Sequence, residues 1–114
     1  MKFDKFSVGF LTTNVNAPQR SVEEDDVIQD QHMSHLADLH DAGLLLAAGP
    51  LSNDQFRGML LFEVDAESAM QLMASDPAVK AGWFNVEVIP WMVPSGALQF
   101  ASTTFPRSMR EASS

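Results

Sequence analysis

The chain has 114 residues, 46% of them hydrophobic and 19% charged, which suffices for one domain with a real core and excludes wholesale disorder. Its net charge is −8 and its few Lys and Arg are scattered, so nucleic acid and anionic membrane surfaces are poor partners. There is no cysteine, which rules out disulfides, thiolate catalysis and thiolate metal ligation.

Lys5 to Asn14 (KFSVGFLTTN) alternates, with Phe6, Val8 and Phe10 on one face, and predicts a strand. A loop with Pro18 follows. SVEE then supplies a capping box, Ser21 as N-cap and Glu24 three residues on. The acidic run Glu23 to Asp26 suits the positive end of a helix dipole and reads as a helix start rather than a binding surface. The helix is expected from Val22 to Ala42, stopping at Gly43. Leu44 to Leu51 is a short apolar strand ended by Gly49-Pro50, and Arg57 to Val64 is a third strand hairpinned to it through SNDQ. Asp65 caps a second helix on which Ala66, Ala69, Met70 and Met73 keep helical spacing. Met59, Met70, Met73 and Met92 read as core filler. DPAVKAG breaks the helix, and Trp83 to Pro90 is the fourth strand.

This order, βαββαβ, is a ferredoxin-like α+β fold. Two helices cover one face of a four-stranded sheet, so the other must carry Leu11, Leu61 and Ile89 among others. A wet apolar patch of that kind is unusual on a monomer, and a homodimer packed sheet to sheet, with higher assembly left open, is the expected cover. Residues 1–98 form the domain, and 99–114 form a tail that docks in part on the body or the partner through residues such as Phe100 and Phe105. With neither a signal peptide nor a membrane span in the sequence, a cytoplasmic protein is expected.

All three histidines fall between residues 32 and 40. On a helical wheel of ~100° per residue, His32 and His35 project with Ile28, Leu39 and Ala42 toward the sheet. His40 lies at the margin and is expected to be solvated. Three readings are open for the inward pair. They are packing residues bonded to backbone; or, as His-x-x-His, part of a metal site, which lacks a third histidine on that face; or an acid–base pair with a carboxylate. Asp76 is the carboxylate to watch, although Asp before Pro is also an N-cap and N1 pair. Arg57 is either an anion clamp or a surface residue.

QHMSHLADLHDAGLLLAAGPL, RGMLLFEV and DPAVKAGWFNVEVIPWM, in that order over Gln31 to Leu98, resemble the YCII-related family. The joint spacing of H…GP…RG…DPAVKAG…PW carries the resemblance. It implies a dimeric α+β barrel with an active site between helices and sheet, built on a histidine and an aspartate. Counted back from Gly49-Pro50, the family histidine falls on His32 and the Asp-Pro aspartate on Asp76, while Arg57 matches the arginine of the Arg-Gly strand. His35 is not a position where the family has a histidine, and it is assigned to lining the pocket.

The resemblance implies a lyase or isomerase that moves protons on a small aromatic, phenolic or lactone-like molecule without a cofactor or metal. In that reading His32 and Asp76 are catalytic, Arg57 steadies an anionic substrate, and Phe84 and Trp91 wall the pocket. Two rivals are a small-molecule-binding accessory dimer without turnover and a cofactor-free oxygenase.

Overall fold

Residues 1–113 are described in a computed structural model; Ser114, the last residue of the expected tail, lies outside the described residues. The elements in chain order are β1 (Phe3–Thr13), α1 (Val22–Asp41), β2 (Leu45–Pro50), β3 (Phe56–Phe62), α2 (Ala66–Ala74), α3 (Pro77–Lys80), β4 (Phe84–Pro94) and α4 (Met109–Ala112). The strands form one antiparallel sheet in the order β2-β3-β1-β4. Each long connection therefore skips a strand, the split βαβ arrangement of the ferredoxin-like α+β fold.

Short-range signals set the helix ends. Ser21 Oγ accepts the Glu24 N–H, and Glu24 Oε1 accepts the Ser21 N–H, each at 3.1 Å. Gly43 takes φ +78° after the last turn of α1, a backbone region where a side chain is strained. Asp65 caps α2 by accepting the Ser68 N–H at 2.8 Å. The same bonds hold both carboxyls below their ordinary range, chiefly through the Ser21 backbone N–H for Glu24 and the Ser68 backbone N–H for Asp65. A carboxyl lowered in the folded state stabilises the fold above its unfolded value, and that contribution is lost as pH falls through the folded value. Thermal unfolding measured from about pH 6 down to about pH 3 should therefore fall more steeply for the native chain than for an E24Q/D65N double variant. Parallel curves would show that these caps carry none of the acid sensitivity.

The alternation on β1 is real, but its faces are the reverse of those expected. Leu11 points at the helices, in one cluster with Leu39, Leu45, Leu60, Phe62, Ala69 and Met73. Phe6 and Val8 instead line the face without helices, with Leu61 and Val93. Leu61 and Ile89 do lie there, both paired with Val8. The reason is space: Ser7 and Gly9 are the positions under the helices, and a Cβ on Gly9 would stand 3.1 Å from the Phe62 ring. Buried Ser7 satisfies its hydroxyl by donating to the Val64 carbonyl at 2.8 Å.

Two other expectations change. Only Met73 of the four methionines is buried; Met59, Met70 and Met92 are exposed. β4 does not stop at Pro90 but continues to Pro94, pairing with β1 throughout. As an edge strand it tolerates prolines whose nitrogens face away from the neighbour.

The tail leaves β4 and crosses the face without helices. Leu98 packs against the Phe6–Val8 cluster, and Phe100 meets Phe6 edge-on with ring centroids 6.1 Å apart. Phe105 then stacks on His40 at 3.9 Å, and Arg107 pairs with Asp38 and Asp41 on α1, each at 2.8 Å. His40 is therefore half-buried rather than simply solvated: its Nδ1 faces the Leu45 carbonyl at 2.8 Å and its Nε2 the Thr103 carbonyl at 3.0 Å. Wheel position could not show this, because the covering group comes from more than sixty residues away.

Candidate active site

Asp76 sits at the corner between α2 and α3. As N-cap of α3, with Pro77 at the first helical position, it accepts the Ala78 N–H at 2.8 Å and the Val79 N–H at 3.3 Å, both on Oδ1. The side chain is fully buried. Burying a carboxylate is costly unless its lone pairs are met. The remaining partner comes from α1: His32 Nδ1 stands 2.9 Å from Oδ1 and 2.7 Å from Oδ2. One residue thus starts a helix and anchors an imidazole.

The hydrogen positions follow from the chemistry. A carboxylate offers acceptors only, so the ring nitrogen facing it is the donor, and His32 carries its hydrogen on Nδ1. In the neutral ring that leaves the lone pair on Nε2. Nε2 has no hydrogen-bond partner among the described residues, and no fully buried side-chain nitrogen or oxygen is left unpartnered among them. Nε2 therefore reaches solvent from an otherwise buried ring. A fixed imidazole with one nitrogen held by a carboxylate and the other open can accept a proton and return it.

Phe84, at the start of β4, lies beside this ring with centroids 6.4 Å apart. It also lines a hollow of about 350 Å³ between α2, α3 and β4, together with Met70, Ala74, Val79, Gly82 and Val86, and with Asn14 and Asn85. His32 itself does not line that hollow; Phe84 and Val79 are the shared walls between hollow and pair. Asn14 braces the rim by donating to the Gly82 carbonyl at 2.7 Å, and Arg20 donates to the Ala81 carbonyl at 2.9 Å. Asn14, Arg20, Ala74 and Val79 were not singled out from the sequence, and Met70 was read there only as core filler. Met70 and Ala74 do share the i, i+4 spacing of one helix face, the one local signal available.

The other candidate residues are placed elsewhere. His35 is half-buried, and its Nε2 lies 3.1 Å from the Leu72 carbonyl on α2, so this ring is engaged with backbone. Arg57 is exposed and donates to the Asn53 carbonyl at 3.3 Å, away from the imidazole. Trp91 packs near Phe6, on the face without helices, whereas Phe84 belongs to the helix-side core. The seven-residue spacing between them puts these two rings on opposite sides of β4. Within this chain Trp91 cannot wall a pocket that Phe84 walls. Among the described residues no group of three His, Asp or Glu stands close enough to hold a metal ion. Nor is any helix among them long and apolar enough to cross a membrane.

A search of curated proteins found no match. Among solved structures, 5-chloro-2-hydroxyhydroquinone dehydrochlorinase from Burkholderia phenoliruptrix AC1100, in complex with 2,5-dihydroxybenzoquinone, is similar in fold. The likeness has a TM-score of 0.51 at 18% identity and covers 75% of this chain and 92% of that one. The family model of the YCII-related domain matches residues 10–92, a span that contains α1 with His32, the Asp76–Pro77 corner and most of the sheet. With most of its length matched, the chain belongs to the YCII-related domain family.

Proposed function

We propose that this protein is a cofactor-independent acid–base enzyme, a lyase or isomerase acting on a small aromatic, phenolic or lactone-like molecule. The observation that carries the reading is the buried Asp76 carboxylate holding His32 by Nδ1 while Nε2 stays open. His32 takes a proton from a C–H or O–H of the substrate through Nε2. Asp76 keeps the ring in that tautomer and steadies the imidazolium, the division of labour used in hydrolytic triads. In a lyase the electron pair released expels a leaving group; in an isomerase Nε2–H returns the proton at another carbon. The hollow beside Phe84, lined by apolar side chains and by Asn14 and Asn85, offers room for the flat body of such a molecule. A ring-derived quinone bound to a protein of similar fold supports that substrate class.

Proton transfer by a positioned side chain contributes about 10²–10⁴-fold, so an H32A variant should lose turnover by that order while still folding. The assay begins with 2,5-dihydroxybenzoquinone as a binding probe, followed through the amide signals of Val79 and Phe84. It proceeds to hydroxylated and chlorinated hydroquinones as substrates. Undiminished turnover in H32A would end the catalytic reading. Saturable binding without product in the native chain would favour an accessory binding role instead.

A homodimer belongs to the same proposal. Ile89 and Trp91 are 53% and 42% exposed on the face without helices, and the tail covers only the part of it around Phe6. A second copy laid on that patch removes it from water. Sedimentation should give twice the monomer mass, and an I89E/W91E double variant should give the monomer; a native monomer at assay concentrations refutes this part.

A further inference from the structure

His32 and His35 sit one turn apart on α1 and reach two points of the same corner. His32 holds Asp76, and His35 holds the carbonyl of Leu72, four residues earlier in the last turn of α2. That carbonyl lacks its ordinary helical partner, because the Asp76 N–H turns instead to the Met73 carbonyl at 3.0 Å. Its own chain supplies only a long bond from the Ser75 N–H, at 3.4 Å. Carbonyls in the last turn of a helix are the ones that side-chain donors from elsewhere can satisfy. A carbonyl oxygen only accepts, so His35 carries hydrogen on Nε2, the opposite tautomer to His32.

The corner between the two grips has little slack. Ser75 and Asp76 alone separate α2 from α3, Met73 is fully buried, and Asp76 is tied back to Met73 and forward to Ala78. A displacement of Leu72 therefore reaches the Asp76 carboxyl directly. The two-oxygen contact with His32 Nδ1, at 2.9 and 2.7 Å, is the contact such a displacement disturbs. We propose that His35 is a positioning residue: through the Leu72 carbonyl it sets the corner that presents Asp76 to His32 and so fixes the His32 tautomer. The relevance to turnover rests on the acid–base reading above; the positioning itself does not. His-x-x-His is, on this view, a two-point clamp on one helix–helix corner.

The test reads the ring nitrogens of His32 by ¹⁵N–¹H correlation in the full chain. The native protein and H35Q, whose amide N–H reaches the same carbonyl, should both show His32 as a single Nδ1–H tautomer. H35F, which fills the space but donates nothing, should show a mixture of tautomers and lose the slowly exchanging Nδ1–H signal, with amide dispersion intact. H35A replaces H35F should the phenyl ring prevent folding. L61A serves as the control: it weakens the cluster on the face without helices, away from the corner, so its His32 signals should keep the native pattern. Where a substrate is in hand, H35F should turn over about tenfold more slowly with KM little changed, and H35Q should restore the rate. A native His32 pattern in H35F, or a failure of H35Q to keep it, overturns the assignment. An inactive native enzyme with the expected nitrogen pattern would sink the proposed catalysis and leave the clamp standing.

Discussion

Asparagine at position 76 is expected to leave the fold standing and remove the base. Its Oδ1 can still accept the Ala78 and Val79 N–H groups, so the cap on α3 survives. Its amide nitrogen then replaces the oxygen 2.7 Å from His32 Nδ1, and two donors face one another. The ring relieves this by moving its hydrogen to Nε2, which fills the one lone pair that reaches solvent. The same exchange in a hydrolytic triad costs about 10⁴ in rate through the wrong tautomer, and D76N should lose turnover by about 10³–10⁴. D76A should behave differently. It removes the cap, about 1 kcal/mol, and strands the buried His32 N–H, about 1–3 kcal/mol, so instability joins inactivity. Unfolding curves beside rate assays separate the two variants. Native turnover in D76N would show that Asp76 is a helix cap and nothing more.

The largest loss of stability is expected at Phe62, truncated to alanine. Phe62 is fully buried on β3, paired with Ser7 on one side and Leu45 on the other. Its ring fills the space that Gly9 leaves by having no side chain. Removing a buried aromatic ring costs the transfer of its atoms plus the cavity left behind, about 3–5 kcal/mol. A domain of this size has a total stability of roughly 5–15 kcal/mol, so F62A should sit close to the edge of folding. The midpoint in urea should fall sharply with little change in slope. A loss below about 1 kcal/mol would mean that the neighbours collapse into the space and that Gly9 is not there to admit the ring.

The parts of this fold legible in the sequence are those written in adjacent residues. Ser21 with Glu24, Gly43, Asp65 and the Asp76–Pro77 pair each mark a helix end through groups a few positions apart, and each stands where it was expected. The pairing of His32 with Asp76 was implied by family resemblance, since 44 residues separate the two and no local rule joins them. Alternation on β1 defined two faces but not which one the helices cover. Ser7 and Gly9, too small to leave an apolar surface, are the residues that decide it, because the space over Gly9 is taken by the Phe62 ring of the helix-side core. Trp91 and Phe84 were grouped as pocket walls, although strand parity sets them apart. The stack of Phe105 on His40 and the Arg107 pairs depend on where a long tail lands, which no window of sequence contains.

The position of β1 bears on how the chain is made. It is a central strand, yet Ser7 waits for Phe62 on one side, and on the other Phe3 waits for Pro94, nearly the whole chain later. A nascent chain leaving the ribosome thus exposes FSVGFL with neither ladder partner until β3 emerges, and the sheet closes only once β4 is out. Such non-local pairing slows folding and leaves an apolar, strand-forming segment open to chaperones or to neighbouring nascent chains. Slower translation between residues 13 and 56 lengthens that interval.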